Sequence, residues 1–389
     1  MTANGSMMSA RDDRTPWVAI GGLIAAVTLG ALAQGVLYPL LSFILERQGT
    51  TPGLIGLSAA MTPLGFIVAS AFTPALTRRM GGAGLAILCS VLTALTLAAI
   101  AWTQDVWAWM PLRFLLGFFS KPPYVLAETW LISIAPPLRR GRIMGLYSSI
   151  VSGGFAIGPL LLRLVGTHGW PPFMIGIAAF LLVGLTLFAV ASQLPKMAHE
   201  GEATSVRGFF GLAPLLLFAV FAAAAFEQTL ISMFAVYGAA FGSGEARIAS
   251  LIACFIAGDA ALQIVLGHMA ERFGSTRTML FCVLASLAGC LALPLLFGSW
   301  LVWPLLFVWG GVSFGIYTMA LIQLGERFDG QALIAGTAVF SLVWGAGGIV
   351  GSPATGLTMQ LIGPQGLPLS LGLMCCVLAV FLMVQRRRA

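Results

Sequence analysis

Charge is what this sequence has least of. Of its 389 residues, 20 are Lys or Arg and 13 are Asp or Glu, together 8%. A soluble globular chain carries about 25% charged residues. Hydrophobic residues reach 59% and mean hydropathy is +0.98, more apolar surface than a water-soluble core can hide. This scarcity excludes a soluble enzyme, a nucleic-acid binder and a disordered scaffold. Histidine is scarce as well. The three, His168, His199 and His268, fall in loops or at a helix end, so no catalytic or metal-holding constellation is visible and neither an enzyme nor a cofactor is expected. The six cysteines (Cys89, Cys254, Cys282, Cys290, Cys375, Cys376) all lie in apolar stretches without metal-ligand spacing. They are expected to be buried small hydrophobes. No secretory leader is expected either. Residues 1–16 are polar, and the apolar stretch from Trp17 to about Leu45 is too long for a signal segment. It is expected to be a first transmembrane helix.

What is present is apolar run after apolar run. A bilayer core takes about 20 apolar residues per helix. Breaks at charge, Gly and Pro clusters give twelve spans, near 17–44, 53–76, 83–102, 106–134, 143–166, 173–194, 209–237, 248–270, 278–297, 301–324, 332–360 and 367–384. The expected architecture is an all-α membrane protein. Its segments are an N-terminal tail 1–16, a six-helix bundle 17–194, a linker 195–208, a second six-helix bundle 209–384 and a C-terminal tail 385–389. With both termini cytoplasmic, fifteen of the 20 bases face the cytoplasm, only Arg47 and Arg247 face the other side, and Arg113, Lys121 and Arg163 sit within spans. So lopsided a distribution follows the rule that basic residues stay on the cytoplasmic side, and it accounts for the net charge of +7 without an anionic partner. The long polar connection at the midpoint suggests a duplicated transporter with its site between the halves.

Several short patterns support this. The loop after the eighth span reads Gly267-His-Met-Ala-Glu271-Arg272-Phe-Gly-Ser-Thr-Arg277, and the loop after the second span keeps Arg78, Arg79 and Gly81, with Arg78 where an acid would match. The fourth span carries Arg113-Phe-Leu-Leu-Gly117. The fifth carries Gly154-Phe-Ala-Ile-Gly158-Pro159, and the eleventh a related Gly347-Gly-Ile-Val-Gly351-Ser-Pro353. In these the chain resembles the major facilitator superfamily. Ala127-Glu128-Thr129-Trp130-Leu131, with Arg140-Gly141-Arg142 and Tyr147, is similar to its YcaD-like bacterial subgroup. The resemblance implies two pseudo-symmetric six-helix bundles that rock about a central cavity lined by the first, fourth, seventh and tenth helices. It also implies a coupling role for Arg113, gating roles for the loop residues Arg78, Arg79, Glu271, Arg272 and Arg277, and antiport through the Gly-Pro element.

Intramembrane charges are costly, about 3 kcal/mol each on insertion scales, and mark pathways or paired sites. On the fourth helix Arg113, Gly117, Lys121, Tyr124 and Glu128 share one stripe about 80° wide. Lys121 reads as a cation for an anionic solute or a carboxylate, or as a structural partner of Glu128. Glu128 reads as a gate that pairs with Arg78, Arg79 or Arg142. The second half carries the opposite sign. Glu227 and Asp259 have no intramembrane base in their own half, and a stranded carboxyl can load and release a proton as a cavity faces each side. Both are expected to couple protons, Asp259 foremost; the structural alternative is a hydrogen bond through Gln228 or Gln263. Gln34 with Tyr38, Trp309 with Ser313, and Ser341 with Trp344 share helix faces that suit an amphipathic solute. The expected function is proton-coupled efflux of small organic compounds from the cytoplasm through a bacterial inner membrane, by a monomer. The alternative is import of an anionic metabolite or of a metal such as copper. Copper importers of this kind use MxxxM and HxxxM pairs, whereas here Met233 is followed by Tyr237 and His268 by Arg272. Copper is thereby disfavoured, with Met233 left as a candidate ligand contact.

Overall fold

The computed structural model describes residues 17–103, 105–136, 140–195 and 211–388, with side chains left out at 140–142, 330, 331, 334 and 385–388. The tail 1–16, most of the linker and Ala389 lie outside the described residues. Among the described residues there are twelve α-helices and no strand. The first bundle holds α1 (Trp17–Arg47), α2 (Pro52–Met80), α3 (Gly82–Thr103), α4 (Val106–Ile134), α5 (Arg140–Val165) and α6 (Pro171–Val190). The second holds α7 (Pro214–Ala240), α8 (Glu245–Phe273), α9 (Ser275–Leu296), α10 (Val302–Arg327), α11 (Gly330–Ile362) and α12 (Gly366–Arg388). Eleven of the helices are long and apolar enough to cross a membrane; the exception, α4, has the length but also carries Arg113, Lys121, Glu128 and three prolines. Their outer faces are apolar, as lipid requires, with Leu295 82% exposed.

Helix ends follow local chemistry rather than the edge of hydrophobicity. Pro52, Pro171 and Pro214 open α2, α6 and α7, where their missing N–H costs nothing. The seventh helix consequently begins at Pro214, not at 209. Asp105 caps α4 by accepting a hydrogen bond from the Ala108 N–H at 2.9 Å. Gly81 and Gly274 end α2 and α8 at φ 76° and 88°, which no other residue adopts cheaply. These two stops fall at matching places in the two bundles.

The duplication extends to packing. In the first bundle α1 lies on α5 and α6, and α2 on α4; in the second α7 lies on α11, and α8 on α10. Gly117 of α4 sits against α2, where a Cβ would come 3.0 Å from the Thr62 Cα. Gly310 of α10 sits against α8, where a Cβ would come 2.8 Å from the Phe255 carbonyl carbon. Backbones so close exclude any side chain, the usual role of small residues between membrane helices. The indoles of Trp109 and Trp309 repeat the theme, donating to Ile100 O at 3.0 Å and to Ser286 O at 2.9 Å. The cysteine expectation needs one correction. Cys89, Cys282, Cys290 and Cys375 are buried, but Cys254 is only half-buried and Cys376 is exposed, because it points away from the face that packs Cys375.

The bundles touch along α2–α11, α5–α8 and α1–α7. Their contact is concentrated at the end that carries the α1–α2, α7–α8 and α11–α12 loops, called here the far end. There α1 is buried continuously from Gly35 to Leu45, and α7 from Thr229 to Gly238. Toward the opposite, linker end the same bundles part: Phe72 of α2, Ala260 and Ala261 of α8, and Thr337 and Ser341 of α11 are exposed. The structure is closed at the far end and open at the linker end.

Candidate functional site

A cavity of about 280 Å³ lies between the bundles, with walls from α1, α2, α4, α5, α7, α8, α10 and α11. Of the residues singled out in the sequence, it brings together Gln34, Tyr38, Lys121, Tyr124, Glu227, Asp259 and Trp344. The two walls differ in sign. Lys121 projects from α4, with its ammonium 5.7 Å from the Phe66 ring centre and 5.4 Å from that of Tyr124. Within the membrane such ring faces offset part of the cost of an unpaired cation. Glu227 of α7 and Asp259 of α8 form the opposite wall, and the two carboxyls lie within electrostatic reach of each other. Asp259 Oδ1 accepts from Gln263 Nε2 at 2.8 Å, and Gln263 Oε1 accepts from the Thr318 hydroxyl at 2.7 Å. Gln263 therefore braces Asp259 from one helical turn away. Glu227 Oε2 is buried with no hydrogen-bond partner among the described residues.

Arg113 is not in the cavity. It is fully buried, donates to the Ser58 hydroxyl at 3.1 Å and leaves Nε and Nη2 unpartnered. Tyr38, which lines the cavity, lies within electrostatic reach of both Arg113 and Glu227.

Other expected positions lie elsewhere. Trp309 is buried in the second bundle, edge-on to Phe226 at 5.1 Å and Phe255 at 6.4 Å. Its bond to Ser286 turns it toward α9, so it packs rather than lines. Met233 is fully buried in the core of α7 beyond the cavity, and Ser341 is exposed one turn from Trp344, its hydroxyl bonded to Thr337 O at 3.2 Å. No ion pair joins Lys121 to Glu128, or Glu128 to Arg78 or Arg79, among the described residues. Arg78, Arg79, Glu271, Arg272 and Arg277 are exposed at the parted linker end, and the Arg142 side chain lies outside the described residues. Glu128, Lys121, Arg78 and Arg79 all belong to the first bundle, so the parting of the bundles does not account for these unmade pairs; Arg78 and Arg79 are exposed in the last turn of α2.

The closed end holds a contact that sequence reasoning missed. Arg47 Nη1 meets Glu245 Oε1 at 2.9 Å and donates to the Thr167 hydroxyl at 3.1 Å, while Thr167 also bonds Glu245. This links α1 and the α5–α6 loop to the first turn of α8, one bundle to the other. The available signal was the charge census. Arg47 and Arg247 are its two exceptions, and Arg247 too is held, donating to Phe297 O at 3.0 Å. Aromatic walls from Phe66, Phe155 and Phe314 were also missed, since no pattern distinguishes a lining Phe from a packing one.

Comparison with known proteins bears on the whole arrangement. The sequence matches the Major Facilitator Superfamily over residues 23–216 and 216–389. It is 26% identical over 347 residues to the MFS-type transporter YfkF of Bacillus subtilis (strain 168), across 87% of this chain and 88% of that protein. It is 23% identical over 342 residues to the MFS-type transporter YcaD of Escherichia coli O7:K1 (strain IAI39 / ExPEC), with the same coverage. Among solved structures, the nucleoside transporter NupG aligns with a TM-score of 0.77 at 15% identity, over 94% of this chain and 98% of that one. An inward-facing, unoccupied bacterial homologue of the human lysosomal transporter Spinster aligns with a TM-score of 0.72 at 15% identity, over 95% and 96%. With both halves matched and the two-bundle fold shared, the chain belongs to the major facilitator superfamily and is a membrane transporter, not an enzyme.

Proposed function

We propose that this transporter exports small organic compounds in exchange for protons, by alternating access in a bacterial inner membrane with both termini in the cytoplasm. On this reading the linker end faces the cytoplasm, and the conformation described is the one that loads solute. The observation that carries the reading is the pair of carboxyls on one cavity wall. Glu227 and Asp259 line the space open to the linker end, and neither has a cationic partner among the described residues. A carboxyl in that position gives up its proton to water at the linker end as a cationic or polar solute binds, and takes up another from the opposite side as the solute leaves there, and so links the two fluxes. Tyr38 lies within electrostatic reach of both Glu227 and the buried Arg113. The importer of anionic metabolites is less well supported. Of the two cations it would employ, Arg113 is fully buried outside the cavity.

The test is proton movement in proteoliposomes that carry an interior pH-sensitive dye. In the wild type, imposing a solute gradient drives proton flux. Asp259→Asn and Glu227→Gln each reduce that flux by about tenfold or more, equivalent to about 1.4 kcal/mol of lost coupling. Full flux in both variants would remove these carboxyls from coupling.

A further inference from the structure

Opposite charge on opposite walls restricts what the cavity can hold. The Lys121 ammonium has no ion pair and no hydrogen bond among the described residues; the Phe66 and Tyr124 ring centres lie 5.7 and 5.4 Å from it, and Glu128, outside the cavity, is within electrostatic reach but not paired with it. Across the cavity Asp259 is fixed in place by Gln263, and Glu227 presents a buried, unpartnered oxygen. Between the two walls lie rings: Phe155 edge-on to Tyr38 at 6.3 Å, and Trp344 packed on Phe314 at 5.8 Å and Tyr317 at 4.6 Å. A cationic solute satisfies the carboxyls but carries its charge into the field of Lys121. An anion satisfies Lys121 and is repelled by the carboxyls. A solute with a charge of each sign satisfies both walls at once, and specificity then arises from the penalty on molecules that leave one wall unpaired.

We infer that the cavity binds a zwitterion of amino-acid to dipeptide size with an aromatic or apolar side chain, its acidic end on Lys121 and its amine on Asp259. The acidic end forms a charge-assisted contact with the Lys121 ammonium, within reach of the Tyr124 hydroxyl and the Gln34 amide that share its wall. The amine meets the braced Asp259 carboxylate. The apolar part lies against Phe155, Phe314 and Trp344. A cavity of about 280 Å³ suits a molecule of this size. Glu227 is left for the proton. The inference rests on the exchange reading above, and it specifies the solute that exchange would carry.

Three probes that share one ring test it: phenylalanine, phenethylamine, which lacks the acid, and 3-phenylpropanoate, which lacks the amine. Each is titrated into the purified full-length protein in detergent while thermal unfolding is followed. Phenylalanine is expected to stabilise at concentrations at least about tenfold below those needed by either single-charge probe, the factor for one lost charge-assisted contact. Lys121→Gln is expected to abolish its advantage over phenethylamine, and Asp259→Asn its advantage over 3-phenylpropanoate. The comparison of the three probes on the wild type stands even where a variant does not fold. Equal or tighter binding of either single-charge probe, or no stabilisation by any of the three, overturns the inference. The same probes in the proton-flux assay separate it from the exchange reading. Flux driven by phenethylamine alone leaves exchange intact and sinks the zwitterion. Phenylalanine binding without flux, unchanged in Glu227→Gln, keeps the zwitterion and sinks exchange.

Discussion

Arg47 and Glu245 meet between bundles at the far end, with side chains 35% and 30% exposed. A half-exposed ion pair contributes little to stability, about 1 kcal/mol or less. In a protein poised between two arrangements, however, that amount acts on the balance. The pair exists only while the far end is closed, so its loss disfavours the closed state by its full contribution, about fivefold for 1 kcal/mol. Arg47→Ala is therefore expected to leave thermal stability almost unchanged and to raise the far-end-open population by up to about fivefold. Spin labels at Thr50 and Ala246, one on each bundle at this end, report the change as growth of a longer-distance population. An unchanged distance distribution would mean that the closed end is held by helix packing alone. The Arg47 contact also shows the limit of reading single residues. The sequence places a base on the less basic side, but a base and an acid 198 positions apart carry no sign of their meeting, and Thr167 carries none either.

At the scale of the helix, legibility depended on what a repeat can encode. Twelve apolar runs made twelve helices because a chain in lipid must satisfy its backbone internally. The ends moved, as at Pro214, because helices continue to the next proline, glycine or cap. The stripe on α4 was legible from its spacing, yet the structure divides it. Gly117 and Arg113 pack on α2, Lys121 and Tyr124 face the cavity, and Glu128 lies outside it. Periodicity says which residues share a face but not which neighbour that face meets, and for the same reason Trp309 was expected at a cavity it does not reach. The Gly117 contact allows a direct test. Gly117→Leu forces α4 away from α2 and is expected to cost at least 1–3 kcal/mol, the usual range for overpacking, with a lowered unfolding temperature in detergent. Gly310→Leu is expected to match it in the second bundle. Gly84→Ala, where an added Cβ meets nothing within 4 Å, is the control and is expected to stay within about 0.5 kcal/mol of wild type. A Gly117→Leu protein as stable as the control would mean that the close approach of the two backbones does not hold the bundle.

On the proposed exchange mechanism, the whole molecule works only if each end can open in turn. Close contacts dominate the far end, where a Cβ on Gly56 of α2 would come 3.0 Å from the Pro353 Cα of α11, while the exposed residues of α2, α8 and α11 mark the parted linker end. Tightly packed helices move as units because packed interfaces switch between discrete arrangements rather than deform smoothly. Tying the far end shut should therefore arrest transport without blocking entry from the linker end. Arg47→Cys with Glu245→Cys places two thiols where the ion pair now sits, on a background in which the exposed Cys376 is replaced. Joining them with a short bifunctional maleimide is expected to reduce solute-driven proton flux by more than about tenfold, while ligand-induced thermal stabilisation survives because the mouth of the cavity stays open. Each of the two singly substituted proteins, treated with the same reagent, keeps its flux. The two readouts respond differently to different failures. Loss of binding together with flux would mean that the linker has distorted the cavity, and a longer linker should then restore both. Full flux across joined far ends would mean that solute crosses without that end parting, and a rocking pair of bundles could no longer be the mechanism.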